Sequence, residues 1–183
     1  MSRSSIVDLL TGDVREVAPR LLGCRIRTRF DDVVTEVELT EVEAYAGDED
    51  PASHAYRGMT RRNVAMFGPR GTLYVYRSYG IHWCMNIVTG GDGIPHAVLL
   101  RGGRPIRGRP AMEARRGRAD RLTDGPGKLT EALGVTGAHD HTSVLTGPVR
   151  LLDALRAPPA VEATPRIGVS KAADEPWRWV VRD

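Results

Sequence analysis

Residues 72–89, TLYVYRSYGIHWCMNIVT, decide the fold class. Thr72–Ser78 reads as a strand with Tyr74 and Tyr76 on one face. His82–Thr89 returns beside it, with Trp83, Met85 and Ile87 on a core side and His82, Cys84 and Asn86 on the other. Tyr79-Gly80 joins the two, Gly90-Gly91-Asp92-Gly93 makes a second turn, and His96–Arg101 is a third strand. Upstream, Cys24–Phe30 and Val33–Glu43 form another hairpin through Asp31-Asp32. Asp13 caps an amphipathic helix running to Gly23, with Pro19 awkwardly inside it. Thr60 caps a short helix reaching Phe67, after a polar loop at Asp48–Gly58; further helices are expected at Arg109–Arg118 and Lys128–Leu133. The last third carries weaker strands at Val149–Asp153, Arg166–Ser170 and Trp177–Val181, interrupted by a surface loop at Pro158-Pro159. Strands and helices do not alternate regularly, which predicts an α+β domain around an antiparallel sheet. With no internal repeat and no low-complexity linker, the chain reads as one domain, residues 1–183.

A hydrophobic fraction of 41% and a charged fraction of 27% are those of a globular protein rather than a disordered one. No apolar run approaches the roughly 18 residues of a membrane span. Met1–Ser5 is followed by no apolar h-region, which argues against a secretory signal, and Cys24 and Cys84 make neither a C-x-x-C pair nor a zinc framework. A cytoplasmic location follows, nucleoid-associated in a bacterium. The net charge of +3 hides a sharp segregation. Residues 31–50 hold nine acids and no base, whereas residues 51–112 hold nine arginines and one acid, Asp92. Residues 101–121 alone carry eight arginines. A basic face beside an acidic pocket suits a polyanion whose chemistry needs a carboxylate.

Three constellations could carry chemistry. In Glu41-Val42-Glu43-Ala44-Tyr45 a period of two puts Val37, Leu39, Glu41 and Glu43 on one face, apolar at first and ending in two carboxylates. A carboxylate at the rim of an apolar surface loses solvation, the setting in which carboxylates become bases. The alternative is that the strand ends or bulges there and both glutamates are wet. Tyr79 stands at a turn where Gly, Asn, Asp or Ser is the usual choice, beside arginine, and a wedge between bases is a physical use for it. A partner interface explains such a tip equally well. Asn86 could read a ligand's hydrogen-bonding edge, or simply face solvent. The His139-x-His141 pair lacks helical spacing and cysteine partners, so no metal is expected. Gly125-Pro126-Gly127-Lys128-Leu129 lacks the glycine spacing and the Ser or Thr of a nucleotide loop, though its N–H groups and Lys128 could seat one phosphate.

Together these segments resemble the alkyladenine (3-methyladenine) DNA glycosylase family. The resemblance rests on Thr40–Gly47, Asp50–His54, Arg62-Asn63, Met66–Pro69, Gly71–Tyr76, Tyr79-Gly80, Cys84–Ile87, Gly91–Gly93, Val98–Arg101 and Gly125–Leu129, in order over roughly residues 8–182. It implies a single mixed domain with a curved antiparallel sheet, flanking helices and a protruding hairpin. It implies Glu43 as the base that activates water and Arg101 as a residue that helps hold that water. Tyr45, His54 and Tyr76 correspond to the walls around a flipped base, and Tyr79 to the residue filling the vacated stack. Asn86 corresponds to the residue that clashes with the 2-amino group of guanine. Arg62, Arg77 and Lys128 are expected on DNA phosphates. Two departures stand out: the chain ends at Asp183, where family members often continue, and Val42 is larger than the residue often found there.

The chemistry agrees with these roles. A stacked base must be rotated out at a cost of a few kcal/mol, and aromatic walls recover about 1–3 kcal/mol per base. Alkylated purines are positively charged and leave readily, so one carboxylate and one water suffice; hypoxanthine would need a proton. With water as nucleophile no Schiff base and no strand cleavage are expected. The expected partner is double-stranded DNA containing damaged purines, bound by a monomer without cofactor, metal or membrane. Two other readings stand beside this one. A non-catalytic DNA-binding module on the same fold predicts loss of Glu43 or the aromatics, yet all are present. A different enzyme on a related fold, such as a hydrolase of free nucleosides or a domain assisting formyl transfer, gives no reason for the tip tyrosine.

Overall fold

The computed structural model describes residues 3–156 and 160–182; the loop expected at Pro158-Pro159 lies outside them. Two short helices lead in, α1 (Arg3–Leu9) and α2 (Val14–Arg20). The Asp13 carboxylate accepts from the Arg15 N–H at 2.8 Å and holds the Arg15 guanidinium, which pulls its pKa down to about 2. Pro19 sits in the last turn and removes a donor there, so α2 closes at Arg20 through a Leu21 N–H to Ala18 bond, before Gly23. Helix α1 was not expected, although Ile6 and Leu10 at a spacing of four are both buried.

The sheet is antiparallel at every pairing among the described residues, as an α+β chain requires. Its strands are β1 (Arg25–Phe30), β2 (Val33–Ala46), β3 (Leu73–Ser78), β4 (His82–Val88), β5 (His96–Arg107), β6 (Val149–Leu152), β7 (Val161–Thr164) and β8 (Arg178–Val181). The order is β3-β4-β5-β2-β1-β6, with β8 beside the far half of β2 and β7 beyond it. Asp31 and Asp32 both have positive φ (46° and 64°), the twist a tight antiparallel turn needs and one that aspartate tolerates. Helices α3 (Arg109–Arg116) and α4 (Pro126–Leu133) pack together under β2, β4 and β5. Gly127 lets α4 approach the hairpin, since a Cβ there would lie 2.8 Å from the His82 Cβ.

One sheet face carries the main core, including Val37, Leu39, Val42, Leu73, Met85, Ile87, Val98 and Leu100 against Leu21, Met112 and Leu129. Each such side chain stabilises the fold by about 1.5–3 kcal/mol through burial. The other face carries a smaller cluster of Tyr74, Val88 and Ala97 against Ala55, Ala65 and Met66.

Three expectations are corrected. Leu39 pairs with Gly103, Glu41 with Gly102 and Val42 with Leu100, so Thr40 on β2 and Arg101 on β5 are extra residues of two adjoining bulges. The bulge shifts the alternation by one: Val37 and Leu39 face the main core, but so do Val42, Ala44 and Ala46. Glu41 and Glu43 therefore leave the Val37–Leu39 face and point to the opposite side of the sheet. The second correction concerns Arg166–Ser170, which is an irregular loop, while the strand lies earlier, at Val161–Thr164. Gly168 has φ +75°, incompatible with a ladder, and Arg166 is drawn inward by a buried carboxylate. The helix expected from Thr60 is a single 3₁₀ turn, Val64–Phe67, with Asn63 rather than Thr60 at its N-cap position. Among the described residues no helix is long and apolar enough to cross a membrane.

Candidate active site

Register brings the site together. Tyr74 pairs with Asn86, Asn86 with Leu99 and Leu99 with Glu43, so these four residues form one row across β3, β4, β5 and β2. All lie on the face opposite the main core. Two residues along, Tyr76 pairs with Cys84 on the same face, and Tyr45 follows Glu43 on β2. This face floors a cavity of about 430 Å³, lined among others by Tyr45, His54, Tyr76, Asn86, Leu99 and Arg101. Tyr79, Arg62 and Arg77 stand at its edge, and Ile167–Val169 close another side.

Glu43 is fully buried and directly beneath this lining, which removes the reading of two wet glutamates at a strand end. Its Oε2 accepts from the Tyr45 hydroxyl at 2.8 Å and its Oε1 from the Ile167 N–H at 2.8 Å. Arg101 Nε lies 3.4 Å from Oε1 and donates to Glu41 Oε1 at 2.8 Å. Arg178 Nε donates to the same Glu41 oxygen at 2.6 Å, so the charges alternate as Arg178, Glu41, Arg101, Glu43. Burial opposes the charge on Arg101, but Glu43 and Glu41 outweigh it and hold its proton above the usual arginine range. The bulge makes this geometry, because it is the extra residue Arg101 that reaches both carboxylates.

The aromatic lining is ordered. Tyr74 and Tyr76 stack at 5.5 Å, and the His54 ring meets Tyr76 edge-on at 4.5 Å. Burial raises the pKa of the Tyr45, Tyr74 and Tyr76 hydroxyls and of the Cys84 thiol, so all four stay protonated. His54 is open to solvent on one side, yet partial burial and then Arg62 lower its pKa, favouring the neutral ring. Its Nδ1 is 2.9 Å from the Tyr74 hydroxyl, a hydrogen bond whose direction follows the tautomer of the ring. The Asn86 Nδ2 donates to the Tyr74 carbonyl at 3.2 Å.

Tyr79 is 89% exposed at the hairpin tip, with φ 50°, next to Gly80 with φ 69°. Arg62 donates to the Arg77 carbonyl at 3.1 Å, and Arg77 lies over the Trp83 ring. Lys128 lies outside the lining, two residues after Pro126 on α4, and donates to Asp124 at 3.1 Å. His139 caps the Thr136 turn and packs on Phe30. Sequence reasoning gave no role to Asp50, Leu99, Ile167 or Arg166, all of which meet the site. Leu99 could have been found, since it shares parity with Arg101.

The chain matches the family described as methylpurine-DNA glycosylase over residues 8–183. It is 46% identical over 176 residues to a protein of Methanoculleus marisnigri, covering 93% of this chain and 91% of the relative. It is 48% identical over 171 residues to one of Rhodopseudomonas palustris, covering 92% and 82%. A Chlorobaculum parvum protein is 46% identical over 168 residues, covering 89% and 80%. All three are assigned by name to the 3-methyladenine DNA glycosylases. The chain belongs to the methylpurine-DNA glycosylase family. For a member of this family, the row from Tyr74 to Glu43 is the natural place to seek the base pocket. It is where buried aromatics, a buried carboxylate and an open cavity coincide.

Proposed function

We propose that this protein excises alkylated and deaminated purines from duplex DNA by hydrolysing the base–sugar bond, with Glu43 activating the water. The observation that carries the reading is the fully buried Glu43 carboxylate, held from three sides beside an aromatic cavity. Its Oε2 accepts only from Tyr45 among the described residues, which leaves a lone pair for a water. That water's oxygen attacks the sugar C1′, its proton passes to Glu43, and the C–N electron pair departs with the base. A cationic alkylated purine leaves as a neutral base without further help; a neutral lesion must also gain a proton. Arg101, 3.4 Å from Oε1, helps to hold the water.

The lesion enters as a flipped nucleotide, enclosed by Tyr45, His54 and Tyr76, while Tyr79 fills the gap in the stack. Arg62, Arg77 and Lys128 hold phosphates, and the protein acts as a single-domain monomer without metal. Neither Lys128 nor Lys171 lines the cavity, which supports a water nucleophile and hydrolysis without strand cleavage. The test is base release from duplexes carrying 3-methyladenine, 7-methylguanine, hypoxanthine or etheno-adenine at one salt concentration. Glu43→Gln keeps the shape and should bind lesion DNA normally, with release slowed by about 10²–10⁴-fold. A variant as active as the parent would sink the mechanism.

A further inference from the structure

Arg166 makes four hydrogen bonds among the described residues, and the mechanism above does not use it. Arg166 and Asp50 are both fully buried in their side chains and paired twice, at 2.5 and 2.9 Å. Arg166 also donates to the Ala44 carbonyl at 3.0 Å. Its guanidinium lies over two rings, 4.8 Å from Tyr45 and 4.9 Å from Trp177. Arg15 also lies over the Trp177 ring, at 5.3 Å. Arg15, Trp177, Arg166 and Tyr45 thus form one column, alternating cation and ring, from the start of α2 inward to the wall of the cavity.

A buried ion pair is a poor device for stability alone, because desolvating two charges costs about as much as their attraction returns. What this pair does well is fix position, since two bonds to Asp50 and two ring contacts restrain the guanidinium, leaving only its buried Nε–H without a partner among the described residues. Both ends of that constraint reach the carboxylate. The next residue, Ile167, gives its N–H to Glu43 Oε1, and the ring under the guanidinium, Tyr45, gives its hydroxyl to Oε2.

We propose that Asp50 and Arg166 are positioning residues for base excision: they clamp the Ile167–Val169 loop and the Tyr45 ring so that Glu43 is held at both oxygens. The assignment rests on the function proposed above. The pair touches no substrate. It acts through Tyr45 and Ile167, by fixing the direction of the lone pair that meets the water. Loosening it changes the rate of the chemical step rather than the affinity for DNA, since a misplacement of about 1 Å costs on the order of 100-fold in rate.

The experiment uses the full chain with Arg166→Lys and Asp50→Asn. Asp50→Glu keeps both charges while displacing the guanidinium, and serves where the other variants do not fold. Leu151→Ala, in β6 far from the column, is the stability control. Three quantities are read: amide exchange at Ile167, affinity for duplex DNA containing 7-methylguanine, and single-turnover release of that base. The Ile167 amide should exchange about tenfold faster in the clamp variants, with β1 and β6 amides unchanged. Affinity should stay within about twofold while base release falls about 100-fold. Leu151→Ala should lower the unfolding temperature and leave the release rate alone. Unchanged exchange at Ile167 overturns the clamp whatever the activity. Faster exchange with a release rate no lower than that of Leu151→Ala overturns its role in the reaction. Absence of base release from the wild-type protein overturns the proposed function instead, while the exchange data still decide whether the clamp exists.

Discussion

Asn86 is 4% exposed, and its amide is tied through Nδ2 to the carbonyl of Tyr74 on the neighbouring strand. Swinging the side chain aside would leave a buried N–H without a partner, at a cost of about 1–3 kcal/mol. An amide that cannot step back is a stiff wall, which is what rejection of a purine with one extra amino group needs. Asn86→Ser should therefore improve release of undamaged guanine relative to 7-methylguanine by on the order of 10-fold. An unchanged ratio in a competition assay would refute the gate. Asn86, Tyr74 and Tyr76 were legible in the sequence because strict alternation along two short strands assigns their faces. Asp50 and Arg166 were not, because 116 residues separate them and a lone arginine in a loop has no local pattern. The nearest signal was the neighbourhood of Arg166: it precedes Ile167-Gly168, and a glycine in that place breaks a strand.

At the scale of elements, the hairpin of β3 and β4 ends in a strained tip. A bulky residue at φ 50° costs about 1–2 kcal/mol, and Tyr79 bears that cost while almost entirely exposed. Stability does not explain the choice, since Gly would be preferred in the turn. Tyr79→Gly should thus leave the unfolding temperature equal or higher while release from a paired lesion falls by about 5- to 100-fold, the worth of one stacked ring. A single-stranded lesion should be spared, because nothing there must be unstacked. Equal losses on both substrates would show that Tyr79 is not a wedge. The turn residues made this hairpin readable. The double bulge of β2 and β5 was not, because period-two reasoning carries no marker for an inserted residue. Only Gly102-Gly103 hinted at it. The outcome still placed both glutamates on one face, since they lie beyond the inserted Thr40.

At the scale of the whole molecule, the distribution of charge differs from what its sequence suggests. The eight arginines of residues 101–121 look like the basic face, yet the fold neutralises most of them. Arg101, Arg104, Arg109, Arg116, Arg118 and Arg121 each meet a carboxylate. Arg57 and Arg61 meet none among the described residues, and Arg62 and Arg77 meet only backbone or ring partners at the cavity edge. The field that DNA feels should therefore come mainly from residues 57–77, since Lys128, the remaining phosphate contact, is itself paired with Asp124. Four phosphate contacts there would give a slope of log affinity against log salt of about −3.6, at about 0.9 per neutralised phosphate on duplex DNA. Arg61→Ala should reduce that slope by about 1 and weaken binding to every sequence alike. Arg118→Ala, which removes a charge already paired with Asp120, should leave the slope in place. Titrations on one duplex from low to moderate salt decide between the two clusters. A slope that responds to Arg118 and not to Arg61 would put the DNA on the α3 side, away from the cavity. In that case the pocket and the binding face would no longer belong to one surface.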